Sequence, residues 1–580
     1  MLPRFIGMPR WLKCVLGIAG GLIATYKDST TDPIYADQRD YTQFFDDPTA
    51  IYGGSDLSSG LISGFQMLGE SAELSLDAFK TKREQTTSVG RPTFISRGAP
   101  ETTTWLVSPS IEFSLPRDWR LTLGATWGQD DVVTNSITTI RATGVSSVSA
   151  NISYWNRSRT YEIGGEGPLF QMGGGEARVA LGAGYRLNEF RQHNYLTGIT
   201  NVSGDESSRF AYVETNFPLI GPENARAGAQ RLVFVAALRG EDYDSFGQVT
   251  TPKLGLIYGP SADFTLKASW GKSFKAPTLN QRNGTQFVYL DPASYFGATG
   301  YPAGSTVMSS TGANPDLGPE RARTWTGSIA FHPQALPGFD AELSYFDIQY
   351  TERVVSPIAN TSQALSNPEY ASFVTYSPTP EQLAEILSDP RVQFVNLAGA
   401  PYVPGNVIAF VFGQNSNATE QRIKGIDLAA GYGFDLGEGR LSVRGSASWM
   451  DSTQLTTADG DPFDMAGMLF YPAKLKTRLG AVWNKGQFTA SGFANHIGGV
   501  TNRIDNVKTD SFTTFDATVR YGTGEREGAW GGWEFALSAQ NLLNAEPPPY
   551  NTASVITPHF DSTNYSAIGR FWSASVSKHW

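Results

Sequence analysis

The amino-acid sequence predicts an all-β fold, a transmembrane antiparallel β-barrel of roughly twenty strands with long extracellular loops and short periplasmic turns. Three observations predict it. Apolar and polar residues alternate in many short segments, the connections between these segments are alternately short and long, and the chain ends on an alternating segment that contains tryptophan. A strand that crosses a bilayer at a tilt needs about nine to eleven residues, with lipid-facing and lumen-facing side chains alternating.

The composition argues against two other classes of protein, helical membrane proteins and nucleic-acid-binding proteins. Only 40% of the residues are hydrophobic, the mean hydropathy is -0.25, and no uncharged apolar run reaches the length of a helical membrane span. The 34 Phe, 24 Tyr, 13 Trp and 61 Gly suit a barrel with aromatic girdles and many tight turns. The net charge of -10 argues against a nucleic-acid partner. Cys14 is the only cysteine, so neither an intrachain disulfide nor a cysteine metal cluster is expected.

The N-terminus has the pattern of an export signal. Three basic residues precede a short apolar stretch, Cys14 to Ala24, which is too short for a helical span and suits a signal peptide. Residues 1–24 are therefore interpreted as a signal or a non-native segment, with an N-terminal strand as the alternative. Residues 25–70 are an undefined lead-in, and residues 71–580 are expected to form the barrel.

Alternation gives each predicted strand an apolar face and a polar face. It is clearest in Ala177–Asn188, Phe264–Gly271 and Ile426–Asp435. Because successive side chains of a strand point to opposite faces, the apolar face is expected to contact lipid and the polar face to line the lumen. Basic residues expected on the lumen face, where they could attract anionic ligands or pair with acidic residues, are Arg178, Arg186, Lys253, Lys267, Arg444, Lys476 and Arg478.

The connections between the predicted strands differ in length. Tight turns are expected at Gly259–Ala262 and Gly437–Gly439, whereas residues 280–320 and 351–421 form long polar stretches. An outer-membrane barrel has short turns at the periplasmic rim and long loops outside, and a soluble sandwich has no reason to segregate them. Long loops usually carry function, so a recognition surface is expected there. Pro378–Pro390 predicts a short helix within the second loop.

The last segment, Arg570–Trp580, is predicted to be the closing strand of the barrel. Trp572, Val576 and Trp580 share one face, and serines occupy the other. We interpret these three residues as the signal that the barrel-assembly machinery reads, with outer-membrane lipid as the second partner. The alternative is a half-buried closing strand of a soluble sheet.

Several short motifs, in order along the chain, carry a family resemblance. They are Thr251–Leu279, Asn314–Thr324, Glu342–Arg353, Arg422–Asp427 and Gln540–Asn544. Through them the C-terminal three quarters of the chain resembles the barrel of TonB-dependent receptors. The resemblance implies a barrel of about 22 strands in the cell outer membrane that takes up scarce, bulky ligands, such as metal–siderophore complexes, cobalamin or oligosaccharides. It also implies that uptake is powered by the inner-membrane TonB complex.

The resemblance carries an expectation about the N-terminal part as well. Receptors of this family hold a plug domain inside the barrel, preceded by a short box that contacts TonB. Neither is recognised here, although Ala50–Ser63 faintly resembles the end of a plug. The TonB complex is therefore expected as a partner only if a plug is supplied. A passive wide outer-membrane channel, a non-energised remnant of a receptor and a surface-adhesion barrel are the alternatives.

The sequence contains no pattern typical of an enzyme. Its five histidines are scattered without paired spacing, so neither catalysis, a cofactor nor a metal site is expected. Aromatic side chains of the long loops, which offer wide apolar contact and a polar tip, are expected to bind a small-molecule ligand. They are Tyr289, Tyr295, Phe296, Tyr301, Tyr370, Phe373 and Tyr376. The alternative for each is packing within the loops or a place at the headgroup boundary.

Overall fold

The fold is described from a computed structural model. The residues described are 20–31, 34–35, 50–90, 94–298, 300–358, 361, 364–366, 368–389, 391–455, 461–503, 505–524, 531–551 and 559–578. No helix within these ranges is long and apolar enough to cross a membrane.

Strands dominate the described residues, and we number them in chain order. The first half contains β1 (Gly20–Thr31), β2 (Ile34–Tyr35), β3 (Ala50–Tyr52), β4 (Gly54–Leu68), β5 (Ala72–Gly90), β6 (Phe94–Gly98), β7 (Glu101–Leu115), β8 (Trp119–Ile140), β9 (Ser146–Met172), β10 (Gly175–Asn194), β11 (Ile199–Ile220), β12 (Arg231–Tyr243) and β13 (Gly247–Gly259).

The second half contains β14 (Phe264–Lys275), β15 (Gln286–Pro292), β16 (Thr306–Gly312), β17 (Glu320–Phe331), β18 (Phe339–Val355), β19 (Val374–Tyr376), β20 (Val392–Asn396), β21 (Val407–Phe412), β22 (Ser416–Leu436), β23 (Gly439–Leu455), β24 (Phe463–Asp464), β25 (Leu475–Lys485), β26 (Phe488–Ile497), β27 (Thr501–Asn502), β28 (Val507–Lys508), β29 (Phe512–Gly522), β30 (Trp533–Gln540) and β31 (Phe571–Lys578). Among the described residues, the α-helices are α1 (Leu279–Asn283) and α2 (Pro380–Ser388), and short 3-10 helices occur at Ala293–Phe296, Pro368–Phe373 and Pro404–Asn406.

One sheet contains 22 strands, of which 20 are long and form the barrel wall. Its long strands are antiparallel, and each pairs with the next long strand along the chain, from β1 with β4 to β30 with β31. The short strands β6 and β24 pair only near the outer ends of β5, β8 and β23. The predicted all-β antiparallel barrel of about 22 strands is thereby confirmed.

The sheet begins earlier in the chain than residue 71, where the sequence placed its start. Residues 20–31 form β1, which pairs with β4, and β4 pairs with β5. The expectation that residues 25–70 are only a lead-in is therefore corrected. Alternation in β4 is weak because Leu61 and Phe65 share a face with Ser63, whose hydroxyl bonds Asp77 across the pair. Most of the segment interpreted as a signal lies outside the described residues, and its last residues, 20–24, belong to β1.

Two levels of aromatic rings mark the lipid-facing surface of the wall. Near the short turns, the rings of Phe264 and Phe331 lie 4.7 Å apart, centroid to centroid. Nearer the long loops, Trp270 and Trp325 lie 6.1 Å apart. Leu266 lies between the two levels and is 37% exposed. An outward-facing apolar zone between two aromatic girdles is the pattern of an outer-membrane barrel.

Several lumen-facing aromatic rings lie against a glycine of the neighbouring strand. Phe210 is paired directly with Gly184, and Tyr212 with Gly182. A Cβ atom on Gly184 would come 2.4 Å from Phe210 Cζ, and one on Gly182 would come 2.6 Å from Tyr212 Cζ. These two glycines therefore leave the space that the rings occupy. Gly425 with Phe346 and Gly480 with Phe493 repeat the arrangement elsewhere in the wall.

The connections at one end of the barrel are short, as predicted. The turn at Gly437, where φ is 61°, joins β22 to β23, and glycine adopts this left-handed conformation without strain. The other end carries the long loops but also three tight turns, at residues 141–145, 195–198 and 244–246. Two of these join strands of 20 to 27 residues, so the wall itself, rather than a loop, extends past the membrane there.

The two longest loops fold together into a five-stranded mixed sheet, which we call the loop sheet. Antiparallel β15 and β16 form its centre, β20 adds in parallel to β15, β21 adds in parallel to β16, and β19 pairs with β21. Val307 and Met308, neighbours in β16, are fully buried in different apolar clusters, so both faces of the loop sheet are covered. Leu383 of α2 packs in the cluster of Met308, and the predicted helix in this loop is confirmed.

A second group of outer loops packs together, formed by residues 461–474, 498–503, 505–511, 541–551 and 559–570. Its apolar cluster contains Val500, Phe512 and Tyr565. The side chain of Asp561, fully buried, accepts hydrogen bonds from the main-chain N–H groups of Phe470, Thr563 and Asn564 at 2.9 to 3.2 Å. A carboxylate that caps main-chain donors from two loops fixes their relative positions.

Candidate ligand-binding site

Two of the loop aromatics predicted to bind a ligand are buried. Phe296 is 1% exposed in the apolar cluster of Val307, and Tyr370 is 6% exposed. Phe296 packs in the core that the two loops form together, as the alternative of packing within the loops describes. A role of Phe296 and Tyr370 in ligand binding stays a prediction.

The other loop aromatics lie nearer the surface. Tyr295, Tyr301 and Tyr376 are exposed, and the Tyr376 hydroxyl donates a hydrogen bond to the Leu365 carbonyl at 3.2 Å. Tyr289 and Phe373 are half-buried. The role of these five residues in ligand binding stays a prediction.

The proposed C-terminal insertion signal lies on the last described strand. Trp572 and Val576 are exposed on one face of β31 and pair with Ala539 and Phe535 of β30. The Lys578 ammonium lies 4.9 Å from the centre of the Trp533 ring, as expected for a lysine that reaches the headgroup level. Trp580 lies outside the described residues. That this strand is read by the assembly machinery stays a prediction.

Basic residues of the lumen face mostly have partners within the wall. Lys267 pairs with Glu342 at 2.9 Å, and Arg178 pairs with Glu176 at 3.3 Å. Arg478 donates to the Asn495 side chain at 2.7 Å. These three residues therefore pair within the wall, which was the alternative to attracting an anionic ligand, and they do not form a concentrated anion-binding surface.

A cavity of 630 Å³, which we call the wall cavity, lies where strands β7 to β11 face the start of α1. The strand register sets its floor in two rows. The first row runs Thr104, Asp130, Asn156, Phe190 and the second runs Gly128, Ser158, Asn188, Glu206, each residue paired directly with the next. Residues 276–280 form its cover. Its volume lies within the range of small-molecule sites.

The polar groups on this floor are partly satisfied by one another. Thr104 donates a hydrogen bond to the Asp130 carboxylate at 2.5 Å, and Ser158 donates to the Asn188 side-chain oxygen at 2.9 Å. Among the described residues no ion pair includes Asp130, so its carboxylate keeps acceptor capacity for a ligand.

Arg282 of α1 fixes the cover to the wall. Its guanidinium lies 3.7 Å from the Glu206 carboxylate and donates to the Pro315 carbonyl at 2.9 Å. Glu206 also accepts a hydrogen bond from the Ser245 hydroxyl. Burial raises the pKa of the Glu206 carboxyl above its ordinary value, against the opposing effects of Ser245 and Arg282.

Sequence reasoning missed the wall cavity. Asp130, Asn156 and Asn188 belong to three different strands, and only the register places them side by side. Alternation indicates that a residue faces the lumen but not which residues of other strands lie beside it. Within the part of the chain that the structure describes, no cluster of His, Cys, Asp and Glu is suited to hold a metal ion.

Comparisons with known proteins show where the chain belongs. No curated protein matches its sequence significantly. Among solved structures, the siderophore receptor PirA from Acinetobacter baumannii matches with a TM-score of 0.66 at 13% identity, covering 96% of this chain and 75% of PirA. The outer membrane transporter YddB from Escherichia coli matches with a TM-score of 0.61 at 10% identity, covering 97% and 73%.

A mutant of the ferric enterobactin receptor PfeA from Pseudomonas aeruginosa is similar as well, with a TM-score of 0.61 at 13% identity, covering 96% of this chain and 75% of PfeA. Identities this low show a common fold. The family described as "TonB dependent receptor-like, beta-barrel" matches residues 25–542, which include strands β4 and β5 of the early wall. This outer-membrane protein therefore belongs to the TonB-dependent receptor β-barrel family.

Proposed function

We propose that this chain is the barrel of a receptor that takes up a scarce small-molecule ligand across the outer membrane, coupled to the TonB complex in its complete form. The family match over residues 25–542 carries the proposal. The outer loops support it, because the loop sheet and the second group of outer loops, which contains Asp561, are folded units with their own buried clusters. Ordered loops above a polar lumen suit recognition of a specific solute.

Two observations bear on which of the three ligand classes that the family resemblance implies, siderophore, cobalamin or oligosaccharide, this chain takes up. Similar structures include receptors described for siderophores and one copper transporter. The lumen of this chain, however, holds basic residues that are largely paired, as Lys267 is with Glu342. The exposed tyrosines Tyr295, Tyr301 and Tyr376 would supply the first contacts with the ligand.

The proposed partners are outer-membrane lipid, the barrel-assembly machinery and, when a plug is present, the TonB complex. The exposed apolar side chains Trp572 and Val576 on β31 support the second. Deleting residues 570–580 should prevent assembly, because the open wall would leave unpaired backbone groups in hydrocarbon. Gel migration that still changes on heating, in membranes from cells that express the deletion, would contradict this proposal. We propose no catalytic role.

Uptake assays in cells test the proposed function. Cells that express the complete receptor should accumulate or grow on its ligand only while the energising complex is intact. Loss of that complex should abolish uptake without changing ligand binding at the cell surface. Uptake that persists without the complex would support the alternative of a passive wide channel, which reconstitution in planar bilayers would reveal as a large, weakly selective conductance.

A further inference from the structure

The floor of the wall cavity combines hydrogen-bonding side chains with an aromatic ring. Asp130, Asn156, Ser158 and Asn188 supply carboxylate, amide and hydroxyl groups, and the half-buried ring of Phe190 lies in the same row as Asp130 and Asn156. Hydrogen-bonding groups around an aromatic face are the usual composition of a site for a hydroxyl-rich molecule.

The charge on this floor is negative. Asp130 has Thr104 as its hydrogen-bond partner at 2.5 Å. Arg157 is the only basic residue among the described residues that line the cavity, and its positive charge is offset by Glu189, which lines the cavity as well. Its guanidinium lies 4.5 Å from the centre of the Trp155 ring and 3.8 Å from the Glu189 carboxylate. A ligand with strong negative charge would therefore meet the Asp130 carboxylate without a compensating cation.

The shape of the cavity also favours a ring-bearing ligand. Gly128, in the second row, carries no side chain, and a Cβ atom there would make only an ordinary contact, with the Trp105 carbonyl oxygen at 3.7 Å. The rows are direct strand neighbours, so Asp130, Asn156 and Phe190 follow one another at the spacing of paired strands, about 4.5 to 5.5 Å. Successive hydroxyl groups of one sugar ring could therefore reach successive side chains.

We propose that the wall cavity is a binding subsite for an oligosaccharide that carries amino sugars, with Asp130 receiving the ammonium group and Asn156, Ser158 and Asn188 receiving hydroxyl groups. Phe190 would offer its ring to the apolar face of a sugar. The inference rests on the proposed function only in that the ligand enters from the outer face. It separates this chain from a receptor that selects an anionic ferric catecholate.

Binding to the purified, refolded chain in detergent micelles tests the subsite. The probes are the glucosamine tetramer, maltotetraose and the anionic complex of ferric ion with dihydroxybenzoate, each titrated by calorimetry. We expect the glucosamine tetramer to bind, maltotetraose to bind more weakly and the ferric complex not to bind. Asp130→Asn should lower the affinity for the glucosamine tetramer roughly tenfold, as loss of a charged hydrogen bond does, and should change the affinity for maltotetraose much less.

Two further variants show whether the change in sugar affinity depends on the wall cavity. Asn188→Ala should weaken both sugars, because it removes an amide common to their hydroxyl contacts. Asp427→Asn, a matched change on the lumen face of β22 and outside the wall cavity, should alter neither. Heat-dependent gel migration of each variant shows that the barrel has folded, and Asp130→Asn preserves the size of the side chain, so loss of folding and loss of binding are separable.

Three results would overturn the subsite. They are equal affinity of the Asp130→Asn variant and the unmodified chain for the glucosamine tetramer, binding of the ferric complex in preference to both sugars, and no sugar binding at all. None of these results would contradict the proposed function, because binding in micelles does not require the energising complex. Conversely, energy-independent uptake in cells would defeat the proposed function and leave the micelle titration unaffected.

Discussion

Phe210 of β11 occupies the space above Gly184, its direct partner on β10. A Cβ atom at Gly184 would come 2.4 Å from Phe210 Cζ and 2.5 Å from the Tyr161 carbonyl oxygen on the other neighbouring strand. The Arg239 guanidinium lies 4.3 Å from the centre of the Phe210 ring on the lumen side. The ring is therefore enclosed between a glycine and a cation, and neither neighbour can move away freely.

This arrangement predicts that Gly184→Ala destabilises the barrel by about 1 to 3 kcal/mol, the usual range for overpacking. The measurement is the free energy of unfolding in urea with the chain in lipid or detergent. Gly240→Ala is the matched control, because a Cβ atom on this wall glycine would meet nothing within 4 Å. Equal stability of the Gly184 variant and the control would show that Phe210 can rotate away.

A second prediction concerns the two faces of β14. Leu266 lies on the lipid side between the aromatic levels, whereas Ser269 faces the lumen and its hydroxyl lies 2.6 Å from that of Thr326. Leu266→Arg should lower the free energy of unfolding in bilayers by about 2 to 4 kcal/mol, and Ser269→Arg should lower it less. Equal losses on both faces would contradict the assignment of the lipid-facing side.

The local pattern of the wall could be predicted from the sequence, because alternation is a property of one strand at a time. The strands around Ala177–Leu187 and Phe264–Trp270 lie close to their predicted places. β4 was missed because Leu61 and Phe65 lie on the lumen side of the wall, opposite to the side that their apolar character predicts. Local alternation cannot show this when tertiary structure places apolar residues in the lumen.

The candidate site depended on contacts that alternation does not encode. The sequence identifies the aromatic residues of the loops, but Phe296 becomes a core residue only because the two long loops pack together. The wall cavity required the register of five strands, which brings Asp130 beside Asn156. Both are non-local pairings, and a single sequence carries no direct record of them.

The buried Glu206 predicts a dependence of stability on pH. Its pKa in the folded barrel is raised above the ordinary 4.5, mainly by burial, so the unfolded chain is the stronger acid at this position. The stabilising contribution is complete below the unfolded pKa and is lost as the pH rises through the raised folded pKa. We therefore expect the free energy of unfolding to fall as the pH rises above the ordinary pKa of 4.5 and through the raised pKa of the folded barrel.

Glu206→Gln should remove that part of the slope, because the amide does not titrate. Glu352→Gln, the same change at an exposed carboxylate that pairs with Arg321 at 3.0 Å, is the control. The measurement is the free energy of unfolding at a series of pH values. An unchanged slope in the Glu206 variant would show that burial does not govern its titration.

The last prediction concerns Asp561, whose fully buried side chain links two outer loops. Its carboxylate accepts hydrogen bonds from Phe470 N at 3.0 Å and from the Asn564 side-chain amide at 2.8 Å, and that amide also donates to the Tyr471 carbonyl at 2.7 Å. Asp561→Ala would leave several main-chain donors unpaired in an apolar surrounding, each at a cost of about 1 to 3 kcal/mol. The loops should then open locally while the wall stays folded.

Hydrogen exchange of peptides that cover residues 463–474 measures this opening. Exchange there should accelerate strongly in Asp561→Ala, and exchange of the wall strand β26 should remain slow, since its hydrogen bonds lie within the sheet. Asp505→Ala is the control, because that exposed carboxylate also accepts a main-chain hydrogen bond, from Val507 at 3.1 Å, but water can replace it. If both variants exchanged alike, the buried carboxylate would not be what fixes these loops, and the apolar cluster around Val500 and Phe512 would have to hold them alone.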